Sequence, residues 1–296
     1  MASTPPAPNP LLVETAKLRR RRAINRAVEI SAWTAALLAV AVLALVIVSV
    51  TIKGLSSISL DFLTKSTANG TGEGIGNAIV GTGVLVGLAT LMAVPFGILV
   101  AIYTSEFASS RSSSAIRYVL DVLNGVPTIV IGIFIFGLLV AGHQQSGYSG
   151  AIALAIVMLP LVARSCHEVL TLVPGAVKEA GLALGASRWR TTVSVVVPTA
   201  LSGMLTGALL AIARAAGETA PLLFTTSIFA PLVQTDPSQA LPNIPVTIFQ
   251  LSEAPAPAQH AQAWAAALVL ILFVLVLSIV ARILSARTRA RLGAAR

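Results

Sequence analysis

The sequence predicts an all-α, polytopic membrane protein with six transmembrane helices. Of its 296 residues, 56% are hydrophobic and only 10% are charged, whereas soluble domains carry about 25% charged residues. The mean hydropathy is +0.88. Several stretches free of Asp, Glu, Lys and Arg reach the length of about 20 residues that a hydrocarbon layer of about 30 Å requires. These observations disfavour a water-soluble enzyme.

The charge-free windows define the six spans in order. The window between Asp121 and Arg164 is too long for one crossing, and the polar, Gly-rich segment 142–147 divides it into two helices. The fifth helix must contain Arg214 and Glu218, because its apolar character continues beyond them. In chain order, the predicted spans are residues 30–52, 76–103, two helices between 121 and 164, residues 190–223, and residues 261–284.

The distribution of basic residues predicts the orientation of these spans. Six crossings place both termini and the second and fourth connections on one side, which receives 16 of the 20 Lys and Arg residues. The other side holds only Lys53 and Lys65. Because Lys and Arg accumulate in cytoplasmic segments, both termini are expected to be cytoplasmic. The predicted organisation is a basic tail (1–29, disordered over residues 1–18), a transmembrane domain (30–284) and a basic C-terminal end (285–296).

Charge placement and missing motifs narrow the function classes. The net charge of +9 is concentrated beside the spans, so we expect membrane lipid rather than nucleic acid as its partner. The single cysteine, Cys166, excludes an internal disulfide and a Cys-based zinc site. No phosphate-binding G-x-x-x-x-G-K-[ST] loop, H-E-x-x-H or G-x-S-x-G occurs. The sequence therefore predicts no catalytic residues, no metal and no cofactor in this chain.

The fourth connection, residues 174–198, carries a distinctive pattern. Val177, Ala180 and Leu184 fall on one face of a short predicted helix. Gly185 can end that helix in a left-handed cap, and Ser187 can cap a second short helix. One interpretation is an amphipathic helix resting on lipid. The other is a docking element for a partner protein, because its apolar face is narrow and its ends are charged.

This connection resembles the coupling loop of ABC-importer permeases. Glu179-Ala180-Gly181, then Gly185, then 195–198 (VVVP) follow the spacing of the family's E-A-A-x3-G-x9-I-x-L-P pattern, with valines in place of its Ile and Leu. The resemblance implies a type I ABC-importer permease fold and a cytoplasmic ATPase that binds this loop and holds the ATP and magnesium. By resemblance, the residues that contact the ATPase are Glu179, Ala180, Gly181, Gly185 and Arg188. Gly181 replaces the family's usual Ala, which predicts a less rigid helix, because Gly costs about 1 kcal/mol relative to Ala.

Charged residues inside predicted spans point to a substrate path. Glu218 follows Arg214 by one helical turn, and a central Arg costs at least about 2.5–3.5 kcal/mol on insertion, so it should face a partner or a wet pathway. A local ion pair that only joins helices is the structural alternative. Arg164 and Glu168, also four residues apart, are expected to orient the coupling loop rather than touch substrate.

Two segments resemble phosphate-specific ABC permeases of the PstA/PstC type. Residues 214–223 (RAAGETAPLL) match the R-A-x-G-E-T-A-P-L-L signature, and residues 125–132 match G-V-P-S-I-V-x-G with Thr128 in place of Ser. Segments 244–249 and 263–265 favour the A-type subunit. The resemblance implies a substrate path with Arg214, Glu218 and Thr219.

The same resemblance implies a phosphate importer in the bacterial inner membrane. Its expected partners are a homologous C-type (PstC) permease, two copies of a cytoplasmic ATPase (PstB type) and an extracytoplasmic phosphate-binding protein (PstS type). The alternatives are a permease for molybdate or sulfate, an ion-coupled secondary transporter and an intramembrane enzyme. The coupling pattern disfavours the last two, because neither requires a docked ATPase.

Overall fold

The structure, a computed structural model, describes residues 16–66, 74–226 and 233–293, and all regular secondary structure in these ranges is helical. The chain forms two compact units, residues 1–52 and residues 53–296. Residues 1–15 of the predicted tail and 294–296 of the predicted C-terminal end lie outside the described ranges. The described helices are α1 (Ala16–Leu55), α2 (Leu60–Thr64), α3 (Gly76–Ile102), α4 (Ser110–Gly125), α5 (Thr128–Ile135), α6 (Gly147–Thr171), α7 (Gly175–Ala183), α8 (Arg188–Thr191), α9 (Val197–Ala216), α10 (Ala220–Thr225), α11 (Ile244–Glu253) and α12 (Pro257–Gly293).

Helix α1 accounts for the described part of the first unit. Its 40 residues correspond to roughly 60 Å, about twice the hydrocarbon thickness. The basic segment from Ala16 onward therefore belongs to the helix, and not to a separate irregular tail. Side chains of residues 18–48 are exposed within the chain, although residues 18–55 contain a strongly apolar window. A helical segment that is apolar on all sides over this length belongs in lipid or against other proteins.

The second unit contains four long membrane-length helices and one bent pair. The long helices cover residues 76–107, 147–171, 188–216 and 257–280, and the pair α4 with 128–140 bends by 92°. Together with α1, the described residues thus hold five spans, or six if the bent pair counts as one crossing. The predicted number of six agrees with the second count.

The third predicted span is not one continuous helix. Helix α4 ends at Gly125, and Val126 adopts an extended conformation before the chain restarts at Thr128. Pro127 explains the break, because proline has no N–H to donate and disfavours helical geometry in the preceding residue. Residues 122–163 contain no charged side chain, so the absence of charge does not indicate the break at residues 126–127.

The fifth predicted span also ends earlier than expected. It was expected to continue through Leu223 with Arg214 and Glu218 inside it, but α9 ends at Ala216 and the chain restarts as α10 at Ala220. Pro221 occupies the first turn of α10, where its missing N–H costs nothing. Glu218 therefore lies in a break between two helices.

Small residues bring α3, α6 and α9 close together. A Cβ atom at Gly97 of α3 would lie 2.8 Å from Val162 of α6, and one at Gly207 of α9 would lie 2.6 Å from Ser165. Such contacts allow helices to approach closely without a large apolar driving force. The core between α3 and α6 is filled by Leu85, Ala89, Ala93, Leu154 and Met158.

Gly81 is the tightest of these positions, and we expect its replacement to destabilise the fold. A Cβ at Gly81 would lie 1.9 Å from the Pro242 carbonyl oxygen, whereas a Cβ at Gly83 would meet nothing within 4 Å. The 242–244 backbone is held in place, since Ile244 N–H donates to Thr82 Oγ1 at 2.9 Å. Gly81→Ala should cost about 1–3 kcal/mol through overpacking. Thermal unfolding in detergent should show a lower midpoint for Gly81→Ala than for the control Gly83→Ala, and equal midpoints would contradict this packing.

Candidate functional site

Arg214 and Glu218 form a loose ion pair at the end of α9. Arg214 lies in the last helical turn, and its Nε is 3.8 Å from Oε1 of Glu218, with side-chain exposures of 60% and 16%. This distance is too long for a hydrogen bond. The N–H donors in the plane of the guanidinium are therefore available to another group at the exposed surface of the chain.

Thr219 begins the short helix that follows the break. Its carbonyl oxygen accepts hydrogen bonds from the backbone N–H groups of Leu222 at 3.1 Å and Leu223 at 3.2 Å. The side chain is half-buried and makes no capping bond. These bonds to the Thr219 carbonyl form the first turn of α10, directly after Glu218.

The two segments that resemble phosphate permeases contact each other. Gly132 of α5 packs against Pro221 of α10, where an added Cβ would lie 2.6 Å from Pro221 Cα and 3.3 Å from Phe224. A glycine at 132 is what allows α5 to reach the backbone of α10. The contact places both proline-bounded breaks in the same region of the second unit.

The fourth connection has the predicted caps. Helix α7 ends with Gly185 at φ +80°, and Gly185 N–H donates to Leu182 O at 2.9 Å. Ser187 Oγ accepts from Arg190 N–H at 3.3 Å. The second helix is not a separate short element, however, because the chain continues helically from Arg188 to Ala216 through a π-helical turn.

Helix α7 presents apolar and acidic side chains outward. Of the three residues predicted to share an apolar face, Val177 is half-buried, Ala180 is exposed and Leu184 is 89% exposed. Glu179 is exposed beside them. Most of this face, apart from Val177, is therefore left uncovered by the described residues of its own chain.

Gly181 has a packing role that the sequence did not reveal. An added Cβ would lie 2.7 Å from Thr191 Cγ2, so the absence of a side chain lets α7 approach α8. On the same side, the Arg188 guanidinium lies 5.5 Å from the Phe107 ring centroid. The Trp189 and Phe107 rings are 5.9 Å apart.

A buried ion pair joins α7 to the end of α3, and sequence reasoning missed it. Lys178 Nζ lies 2.6 Å from Oε1 of Glu106, whose side chain is 7% exposed. Glu106 belongs to a π-helical turn, Tyr103–Phe107, that extends α3. In the sequence, Glu106 is recognisable only as the charged residue that ends an apolar window. Its partner Lys178 is 72 residues away, so no local sequence pattern connects the two.

Arg164 and Glu168 form an ion pair on α6, and Arg164 also contacts α4. Arg164 Nε lies 3.2 Å from Glu168 Oε1, and Arg164 Nη1 lies 2.9 Å from Oδ1 of Asp121 on α4. Among the described residues these ion pairs join α6 to α4, and the role of Arg164 and Glu168 in orienting the fourth connection stays a prediction. Beside them is a cavity of about 400 Å³. Within residues 16–66, 74–226 and 233–293, no group of three His, Cys, Asp or Glu could hold a metal ion.

Known proteins share this sequence over most of its length. Residues 93–290 match the family model described as binding-protein-dependent transport system inner membrane component. The phosphate transport system permease protein PstA of Yersinia pestis is 38% identical over 246 residues, which cover 82% of this chain and 83% of that protein. The protein of the same name from Haemophilus influenzae is 39% identical over 206 residues, covering 69% and 73%.

Solved ABC transporters share the fold. A chain of a bacterial ABC transporter involved in the import of the acidic polysaccharide alginate matches with a TM-score of 0.64 at 15% identity, covering 91% of this chain and 99% of that one. A chain of an inward-facing MetNI methionine ABC transporter matches with a TM-score of 0.56 at 15% identity, covering 72% and 94%. These matches confirm the predicted ABC-importer permease fold. The chain therefore belongs to the binding-protein-dependent transport system inner membrane component family.

Proposed function

We propose that this chain is the A-type permease subunit of an ATP-driven inorganic phosphate importer. The observation that carries the proposal is Arg214, an exposed guanidinium at the end of a membrane-length helix, whose ion-pair partner among the described residues is the loosely held carboxylate of Glu218. The relatives named above are phosphate permeases, which supports phosphate as the ion. In the proposed orientation, both termini and the fourth connection face the cytoplasm of a bacterial cell.

The chemistry of Arg214 suits phosphate. A charged side chain at membrane depth is expensive unless it faces a water-filled path or a partner. The planar guanidinium offers paired donors to phosphate oxygens. Glu218, only 16% exposed, can accept a hydrogen bond from the hydroxyl group that monohydrogen phosphate carries and sulfate lacks. At rest the same carboxylate offsets the charge of Arg214, so that an anion is not held permanently.

The proposed path lies between this chain and a homologous C-type permease. Because Arg214 and the α5 residues Ile133 and Phe134 are exposed in the isolated chain, a second permease is needed to enclose the ion. Two cytoplasmic ATPases, which hold ATP and magnesium, would dock on the cytoplasmic side of the two permeases. An extracytoplasmic phosphate-binding protein would deliver the ion from the opposite side. ATP-driven closure of the ATPases then moves α7 with the spans on either side of it.

The exposed face of α7 is the proposed ATPase contact. In this arrangement Glu179 and Leu184 face the ATPase, while Gly181 and Gly185 provide close packing and the turn, and Arg188 begins the next span. The outward orientation of Leu184 favours protein docking over a purely internal role. The rival interpretation, a helix lying on lipid, predicts no dependence on an ATPase.

We expect Leu184→Asp to weaken ATPase binding. Burying an aspartate in place of a leucine that is 89% exposed in the free chain should cost about 1–3 kcal/mol at the interface, or roughly 5- to 150-fold in affinity. Copurification of the ATPase with the tagged permease measures the loss. Leu60→Asp, at a leucine 77% exposed in α2, is the matched control, and equal copurification of both variants with the ATPase would contradict the docking role.

Transport by the purified complex tests the proposed function. Proteoliposomes that contain both permeases, the ATPase and the binding protein should accumulate labelled phosphate only with ATP, and excess sulfate or molybdate should compete poorly. Uptake without any ATPase chain would indicate a secondary transporter. Stronger competition by molybdate or sulfate than by phosphate would assign the path to that oxyanion.

A further inference from the structure

A polar cavity lies between α4, α6 and the π-helical turn that ends α3. Its volume is about 400 Å³, large enough for a hydrated inorganic ion, and it opens to the surface. It is distinct from the Arg214 position, which does not line it. The polar side chains that line it include Arg117, Arg164, His167, Ser114, Asp121 and Glu168.

The two arginines of the cavity differ in how they are held. Arg164 is engaged by two carboxylates, at 2.9 Å from Asp121 and 3.2 Å from Glu168. Arg117 Nη2 donates to Ser114 Oγ at 3.4 Å, and it forms no ion pair with a described carboxylate. The cavity thus combines one available guanidinium, Arg117, with one, Arg164, that is held by two carboxylates, so that the formal charges of these four side chains cancel.

The packing of α6 against α9 relates the cavity to Arg214. Gly207 of α9 packs on Ser165 of α6, and the two helices run in opposite directions along the chain. With a rise of 1.5 Å per residue, Arg214 and Arg164 are separated by about 9 Å along the helix axes. Both arginine side chains are exposed, at 60% and 57%, and each precedes a glutamate by four residues.

We propose that this cavity is a second oxyanion site, which phosphate occupies after it leaves Arg214 and before it enters the cytoplasm. The inference rests on the proposed function and extends it to the inner end of the path. Arg117 attracts the ion, and guanidinium groups bind phosphate oxygens in a planar, paired geometry. Asp121 and Glu168 offset the charge of Arg164, so the site favours passage over retention.

Cysteine protection in the assembled complex tests for the site. Ser114→Cys places a thiol in the cavity wall, and Ser110→Cys places one on the first turn of α4, at an exposed position outside it. The native Cys166 is buried. In nanodiscs of neutral lipid, inorganic phosphate should slow maleimide labelling of the Ser114→Cys variant in proportion to occupancy, about threefold at twice the dissociation constant. Chloride at equal ionic strength should not, and labelling of the Ser110→Cys variant should be unaffected.

Two variants separate ion binding from a structural role. Arg117→Gln, combined with Ser114→Cys, should abolish phosphate protection and slow phosphate uptake. Asp121→Asn, also combined with Ser114→Cys, releases Arg164 from one of its carboxylates, so protection should appear at lower phosphate concentrations while uptake slows. A merely structural defect in the Asp121→Asn variant would weaken both the protection by phosphate and the phosphate uptake.

Several results would overturn the site. These are no protection by phosphate, equal protection of the Ser110→Cys variant, protection by anionic lipid in place of phosphate, or unchanged uptake and protection in Arg117→Gln. Protection by phosphate from the inner side alone, with uptake unaffected by Arg117→Gln, would indicate a cytoplasmic ligand site off the path and would also overturn it. If the unmodified complex imports phosphate but the Ser114→Cys complex shows no protection, only this inference fails. If the unmodified complex imports no phosphate, the proposed function itself fails.

Discussion

Arg214→Lys is expected to abolish most phosphate uptake while the complex still assembles. Lysine keeps the positive charge but not the planar pair of donors that the guanidinium offers to phosphate. Losing a charge-assisted hydrogen bond costs about 1.5–3 kcal/mol, which corresponds to roughly a 10- to 150-fold slower step. The exposure of Arg214 means that little packing is lost. Initial rates of labelled phosphate uptake in proteoliposomes measure the effect.

Arg282→Lys is the matched control, because it makes the same exchange at an exposed residue of α12, far along the chain from the proposed path. It should transport like the unmodified protein. Unfolding midpoints and ATPase copurification should be the same for both variants. Unmodified uptake by Arg214→Lys would refute the role of the guanidinium and leave the pair with Glu218 as a structural contact.

Lys178→Met is expected to give the largest loss of stability among single substitutions near the fourth connection. It leaves the carboxylate of Glu106, 7% exposed, without its partner, and breaking a buried ion pair in this way costs about 3 kcal/mol or more. For a protein of this size, that lowers the unfolding midpoint by roughly 6–12 °C. Glu106→Gln should cost less, because Lys178 is 26% exposed and its ammonium group can turn toward water.

The double variant Glu106→Gln/Lys178→Met should recover much of the stability, since no buried charge remains. Lys65→Met is the control, because it breaks an exposed pair in which Lys65 lies 3.1 Å from Asp61, and exposed pairs contribute about 0–1 kcal/mol. Thermal unfolding of the detergent-solubilised protein compares the four variants. Equal midpoints for Lys178→Met and Lys65→Met would show that the Glu106 pair does not stabilise α7.

The sequence predicted the spans well because a lipid environment imposes a simple requirement, a long run without charges. That signal does not report breaks inside an apolar run, so it extends the third and fifth spans across Pro127 and Pro221, although both prolines carry the local chemistry that interrupts a helix. The caps at Gly185 and Ser187 were predictable because each depends on neighbouring residues only. The Glu106–Lys178 pair and the Arg164–Asp121 pair were not, because each joins residues more than 40 positions apart and no local pattern encodes such contacts.

The interruption between α9 and α10 has a consequence that is independent of any side-chain charge. Peptide groups that leave a helix at membrane depth cannot face acyl chains, because their hydrogen bonds would go unmade. In the 217–219 segment part of this need is met within the chain, because the N–H groups of Gly217 and Glu218 donate to the carbonyl oxygens of Arg214 and Ala215, both at 3.1 Å. The remaining backbone groups of the segment have to face water or protein, even in a variant without ionisable side chains. Because these turn-type bonds lie outside the regular ladder of α9, the amide hydrogens of 217–219 should exchange with deuterated solvent sooner than those in the middle of α9.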